Sequence, residues 1–171
     1  MNDNQIAIVI GHDYISKGAY SEYINQYEFD YNIGVAQITG LDTYTHSPSS
    51  SYTHKMQKTY RHLDNYSLTL EMHFNAASEG VQGVEALYYG GNMEGKRIAE
   101  LYCDLVAKEY GIRNRGAKPL NSDKDRGFRA VASGKPTGLI LEPFFGSNSK
   151  CKAFKDKERH AALMCDFISK I

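Results

Sequence analysis

The chain has 171 residues, enough for one domain that buries about 70% of its unfolded surface without staples. Twenty basic residues cancel twenty acidic ones and no basic stripe stands out, which excludes a surface built to hold nucleic acid or anionic lipid by charge. Three cysteines, Cys103, Cys151 and Cys165, without CxxC spacing exclude a disulfide framework and a thiolate zinc site and read as reduced thiols.

Met1-Asn2-Asp3-Asn4-Gln5 leads straight into an apolar run with no basic n-region, long apolar h-region or small-residue cleavage site, so synthesis in the cytoplasm without a signal peptide is expected. The longest apolar runs fall far short of the ~20 residues of a membrane span, so no membrane insertion is expected. Residues 5–10, rich in Ile, Val and Ala, suit a short strand buried on both faces, and a polar loop follows from Gly11 to Glu22. Tyr27, Tyr31, Val35 and Ile38 recur at helical spacing and predict an amphipathic helix over 23–38 that Gly40 ends. Residues 42–46 read as a second strand. Ser47 to Ser51 is turn and N-cap chemistry, after which Met56, Tyr60 and Leu63 mark a helix reaching Asn65.

Strands are predicted at 67–73 and 83–89, the latter turned by Gly90-Gly91-Asn92. A helix over 95–110 shows Ile98, Leu101, Tyr102, Leu105 and Val106 on one side, with Gly111 as its stop. Residues 112–126, rich in Arg, Lys, Asn and Asp, read as a surface loop, followed by short strands near 128–132 and 138–142. The C-terminal helix is predicted over 155–169 with Ala162, Cys165 and Ile168 facing inward; Cys103 and Cys165 then serve as small apolar residues. Strands alternating with helices predict a single-domain α/β fold over 1–171, a mostly parallel, mixed twisted sheet flanked by helices on both faces.

Chemistry concentrates where strands end. The runs Ile6–Ile10 and Leu68–Met72 lead into His12 and His73, and Leu139-Ile140-Leu141 leads into Glu142. In open α/β sheets the crevice beyond the carboxyl ends of the strands is where ligands bind. A single histidine after a strand is usually just hydrogen-bonded; two of them weigh a metal site equally against that reading. Catalytic zinc commonly takes two histidines and a carboxylate. Glu22, Glu28, Asp13, Asp30 and Glu71 are the candidate carboxylates, with Glu28 first because it sits on the opening turns of the helix after His12, and Glu22 second. Glu71 lies roughly 6–7 Å down the strand from His73 and suits an ion pair or hydrogen bond beneath the site. Glu142, flanked by apolar residues, is partly desolvated and so is raised toward the range of a general base; the competing reading pairs it with Arg126 or Arg129.

Taken together, His12 after Val9-Ile10-Gly11, Ser16-Lys17-Gly18-Ala19, Glu28-Phe29-Asp30-Tyr31-Asn32-Ile33, His73-Phe74-Asn75-Ala76 and Glu142-Pro143-Phe144-Phe145-Gly146-Ser147-Asn148 form an ordered set. With the helix before Arg115-Gly116-Ala117-Lys118, this set resembles the zinc-dependent N-acetylmuramoyl-L-alanine amidases of the Amidase_3 type over nearly the whole chain. The resemblance implies one zinc (Zn2+) per chain held by His12, Glu28 and His73, with Glu142 as the catalytic carboxylate. It favours Glu28 over Glu22, because the family's ligand glutamate is followed four residues later by asparagine and an aliphatic residue, here Asn32 and Ile33. Two positions depart: the Asp-Pro usual before Gly-His is Val9-Ile10, and the residue two before the second histidine, often serine, is Glu71.

The implied reaction is hydrolysis of the amide between the lactyl group of N-acetylmuramic acid and L-alanine in peptidoglycan. Asn75 and Arg115, with Tyr14, Phe144 and Phe145, are groove candidates, equally read as rim packing. Competing functions are a non-catalytic peptidoglycan-binding module and a zinc peptidase cutting within the stem peptide. The expected setting is a phage or prophage endolysin-like monomer, or a bacterial enzyme freed by mother-cell lysis, acting on the wall after release.

Overall fold

The computed structural model describes residues 6–49 and 51–171; Gln5, the first residue of the predicted opening strand, lies outside them. In chain order the elements are β1 (Ile6–Ile10), β2 (Tyr20–Ser21), β3 (Gln26–Tyr27), α1 (Glu28–Thr39), β4 (Thr43–Thr45), α2 (Tyr52–Tyr60) and β5 (Leu68–Met72). Next come β6 (Val84–Tyr89), α3 (Met93–Tyr110), β7 (Asn114–Leu120), α4 (Phe128–Ala132), β8 (Thr137–Glu142), a 3-10 turn (Ser149–Lys155) and α5 (Lys157–Ser169).

Six strands pair in the order β4-β1-β5-β8-β6-β7. The first four run parallel; β6 runs antiparallel to β8 and parallel to β7, so the sheet is mixed as expected. Because successive side chains on a strand point to opposite faces, the central strands divide their residues between two cores. Ile6, Ile8, Ile10, Leu68, Leu70, Met72, Leu139 and Leu141 pack with α1, α3 and α5. Ala7, Val9 and Ile140 pack with Met56 and Tyr60 of α2 and Ala130 and Val131 of α4. The same parity puts Glu71 of β5, Glu85 of β6 and Glu142 of β8 on the α2/α4 face. Register brings them close: Glu71 is level with Ile140, and Glu85 is level with Glu142.

Five expectations need correction. The first helix starts at Glu28, not Tyr23, because residues 20–27 fold into the β2-β3 hairpin, turned near Asn25 in a left-handed conformation that asparagine tolerates. Tyr27 and Ile38 are consequently exposed, and the buried face of α1 is Glu28, Phe29, Tyr31, Asn32, Val35 and Ala36. The second helix stops at Tyr60 rather than Asn65, though Leu63 is buried as expected. Residues 114–120 of the predicted loop are strand β7; as a sheet edge it accepts Arg115, Lys118 and Pro119, whose composition imitates a loop. Residues 128–132 are α4, not a strand, an apolar run too short for periodicity to tell the two apart. In α5 Ala162 and Cys165 are exposed; the buried stripe is His160, Ala161, Leu163, Met164, Phe167 and Ile168. Its polar member, His160, hides the stripe from a hydropathy reading.

Other boundaries agree closely. Gly40 and Gly111 end α1 and α3 in the left-handed conformation, and the side chains of Ser51 and Asn92 cap α2 and α3. Among the described residues no helix is long and apolar enough to cross a membrane.

Candidate metal centre and catalytic site

Four loops and strand ends meet above β1, β5 and β8. Backbone pairing continues past the strands, with Gly11 N–H donating to Met72 C=O at 2.9 Å and His73 N–H to Leu141 C=O at 3.0 Å, so His12 and His73 leave neighbouring strands side by side. His12 adopts φ 68°, a left-handed conformation uncommon for a residue with a Cβ. The two rings lie edge to face with centroids 5.2 Å apart.

Glu28, the first residue of α1, inserts its carboxylate between them. Oε2 lies 3.2 Å from His12 Nε2 and Oε1 lies 2.6 Å from His73 Nδ1. The backbone amides of Ala19 and Phe74 also donate to this carboxylate, each at 3.2 Å. Helix α1 is held in place by the amides of Glu28 and Phe29 bonding to Ala19 and Lys17 carbonyls, and by Asn32 Nδ2 donating to Met72 C=O at 3.2 Å. Two glycines make room for the rings. A Cβ on Gly11 would lie 2.3 Å from His73 Cε1, and one on Gly18 would lie 2.6 Å from Glu28 Oε2 and 2.6 Å from His12 Cδ2.

Charge in this cluster is set by burial against hydrogen bonding. Burial works to raise the Glu28 pKa, but donors from His12 and His73 outweigh it and bring it down to about 2. For His73, burial works against protonation, yet Glu28 and Glu71 overcome it and hold the ring well above the ordinary imidazole range. Glu71 is likewise opposed by burial and held below the usual carboxylate range by His46 and His73.

Glu142 differs from both. Burial, reinforced by Glu28 and Glu85, raises it to about 8 against the opposing charges of His73 and Arg126. Its Oε2 is buried with no hydrogen-bond partner among the described residues. The competing arginine pairing is not formed: Arg129 binds Asp123 at 3.2 Å, and no ion pair to Glu142 occurs among the described residues.

The other carboxylates considered as ligands have other employment. Asp13 accepts from the amides of Ile15 and Ser16 and pairs with Lys55. Asp30 pairs with Lys17 at 2.9 Å, Glu22 is exposed, and Glu71 lies behind His73. His12, Glu28 and His73 alone among the described residues form a cluster of potential metal donors, one atom from each lying within 4.8 Å of the others. Ligands at ~2.0–2.1 Å from a tetrahedral ion stand about 3.3 Å apart, so the donors would draw together around a bound ion. Two imidazoles, one carboxylate and an open side toward a cavity are the donor set of a catalytic zinc.

That cavity, of 860 Å3, is lined by His12, Glu28, His73 and Glu142 together with Tyr52, Lys55, Arg126, Phe128 and Arg129. Asn75 lines it; Arg115 does not, standing instead behind Glu85, to which it donates at 2.6 Å. Glu85 also accepts from Asn75 Nδ2 at 2.7 Å, so one carboxylate ties the two residues together. Glu85 went unnoticed in the sequence, although its place opposite Ala86 in the alternating strand marks it as face-directed. Phe144 and Phe145 are buried packing residues rather than groove residues, whereas Tyr14 is exposed.

Residues 6–168 match the Amidase_3 family, N-acetylmuramoyl-L-alanine amidase. The chain belongs to this family. A search of curated proteins finds no match. Among solved structures, the catalytic domain of the CD27L endolysin targeting Clostridia difficile is 25% identical, with a TM-score of 0.75 and 96% of each chain covered. The catalytic domain of CwlV, an N-acetylmuramoyl-L-alanine amidase from Bacillus (Paenibacillus) polymyxa var. colistinus, is 19% identical with a TM-score of 0.74 and 97% of each chain covered, a likeness of fold. The chain is therefore an N-acetylmuramoyl-L-alanine amidase, a cell-wall hydrolase.

Proposed function

We propose that this amidase is a one-zinc hydrolase in which His12, Glu28 and His73 hold the metal and Glu142 is the catalytic carboxylate. The observation that carries this reading is the Glu28 carboxylate seated between two strand-end imidazoles, with the unpartnered Glu142 in the wall of the same cavity. When bound, zinc supplies Lewis acidity toward the lactyl carbonyl and the attacking water and, as a nearby dication, favours the ionised form of Glu142.

Glu142 takes the proton of the attacking water as the new carbon–oxygen bond forms. It then returns a proton to the departing alanine nitrogen as the amide bond breaks, serving as base and then as acid. Glu28 keeps both imidazoles turned toward the open side. Asn75, fixed by Glu85, offers the cavity a polar wall for the stem peptide. All four central residues come from one chain, which supports a monomer as the working unit and residues 1–171 as one catalytic domain. The family supports peptidoglycan as substrate, and the likeness to an endolysin catalytic domain supports lysis of a bacterial wall after release from the cytoplasm.

Dye release from purified peptidoglycan, with mass analysis of products and metal content of the protein, tests this. Wild type is expected to carry one zinc and to free L-alanine termini with intact muramic lactyl groups. Glu142→Gln is expected to retain zinc and lose about 10^2–10^4-fold in turnover. New termini inside the stem peptide, or wild-type turnover in Glu142→Gln, would overturn it.

A further inference from the structure

Behind His73 lies a second carboxylate that the reaction itself does not use. Glu71 is 4% exposed, and both its oxygens are committed. Oε1 lies 2.9 Å from His73 Nε2, and Oε2 accepts from the Tyr60 hydroxyl at 2.6 Å. His46 stands on the far side, with Nε2 3.7 Å from Glu71 Oε2 and Nδ1 2.8 Å from Thr59 Oγ1. The chain His73–Glu71–Tyr60 therefore runs from the cavity wall to α2.

A buried carboxylate is costly unless partners compensate it, and packing alone would favour an apolar residue of similar size at position 71. The orientation of the pair points to a use. An ionised carboxylate can only accept hydrogen bonds, so Glu71 requires the proton on His73 Nε2. Glu28 makes the same demand on Nδ1, 2.6 Å from its Oε1, so without metal the ring carries both protons, and Nδ1, the nitrogen facing Glu28 and His12, is the one a metal would deprotonate. Alternation along β5 puts residues 71 and 73 on one side of the chain, so the strand itself aligns the carboxylate with the ring.

We propose that Glu71 is a positioning residue for the metal ligand His73, holding the Nε2–H tautomer so that Nδ1 is presented to the metal, and that Tyr60 anchors Glu71 in that role. The proposal rests on the zinc reading above. Carboxylates that accept the free N–H of a ligating histidine are typically worth 10–100-fold in metal affinity.

The test measures zinc dissociation constants by chelator competition for wild type, Glu71→Ala, Glu71→Gln and Tyr60→Phe, with long-range 1H–15N spectra of the histidine rings. In wild type the His73 Nε2 proton is expected to persist with and without zinc. Glu71→Ala is expected to bind zinc about 10–100-fold more weakly and to show mixed His73 tautomers. Glu71→Gln, whose amide oxygen still accepts from Nε2–H, should recover most of the affinity, and Tyr60→Phe should show a smaller loss than Glu71→Ala. Wild-type affinity in Glu71→Ala, or an Nδ1-protonated His73 in zinc-loaded wild type, overturns the proposal. If Glu71→Ala does not fold, Tyr60→Phe decides: unchanged zinc affinity and ring spectrum overturn it. A wild type that binds no zinc would instead defeat the zinc reading.

Discussion

Two histidines, His73 and His160, are both served by α1. Glu28 at its start reaches His73, and Tyr31 one turn later bonds His160 Nδ1 through its hydroxyl at 2.8 Å. Around His160 the neighbours are aromatic: Tyr31 stacks on it at 5.9 Å, and Phe154 and Tyr110 meet it edge-on. With no carboxylate at hand, burial alone drives its pKa down to about 3. His73 is opposed by burial too, yet two carboxylates carry it in the other direction. Burial thus leaves a neutral core imidazole at one place, while at the other two carboxylates hold a buried imidazole protonated, so acidic partners decide which.

Three measurements can break or sharpen that contrast. The largest effect is expected for His73→Ala, which should lose stoichiometric zinc and reduce dye release to background; retained zinc and turnover would remove His73 from the site. Next is His160→Ala, expected to cost about 2–4 kcal/mol in urea unfolding by leaving a cavity among aromatic rings, with turnover of the folded enzyme unchanged. A fall in turnover without a fall in stability would show that His160 is not merely structural.

The smallest effect is the pH dependence of the melting temperature with chelator and with zinc. Without metal, stability from His160 is full above pH 6.5 and lost as pH falls toward 3, and that from Glu28 is full above 4.5 and lost toward 2. His73 has the opposite sign: its contribution is full below pH 6.5 and lost as pH rises through its raised folded value. Zinc requires the metal-facing nitrogen deprotonated, so the curve with zinc should separate from the chelated one by several degrees as pH rises. Parallel curves across the alkaline side would contradict His73 as a ligand.

Much of this was legible in the sequence because the site sits where strong patterns end. The runs Ile6–Ile10 and Leu68–Met72 declare central strands, and residues just beyond the ends of such strands are delivered to one edge. The features that escaped had physical reasons to do so. β7 is a charged edge strand, α4 is one turn long, and the buried stripe of α5 contains a histidine whose partner, Tyr31, is 129 residues away. Glu71 could be placed beneath His73 from strand geometry, but its second bond, to Tyr60, depends on how α2 lies across the sheet. The Asn75–Glu85–Arg115 link was hidden likewise, since it joins a loop after β5 to β6 and β7.

Gly11 and Gly18 carry the site's fragility. Neither offers a donor, a proton or a charge, yet a single methyl group at either would intrude on an imidazole or on the Glu28 carboxylate. A lineage carrying this gene could therefore fall silent through alanine, the mildest replacement available, with every reactive group still encoded. For anyone sorting working copies from dead ones by sequence, these two blank positions are as informative as the four proposed to do the chemistry.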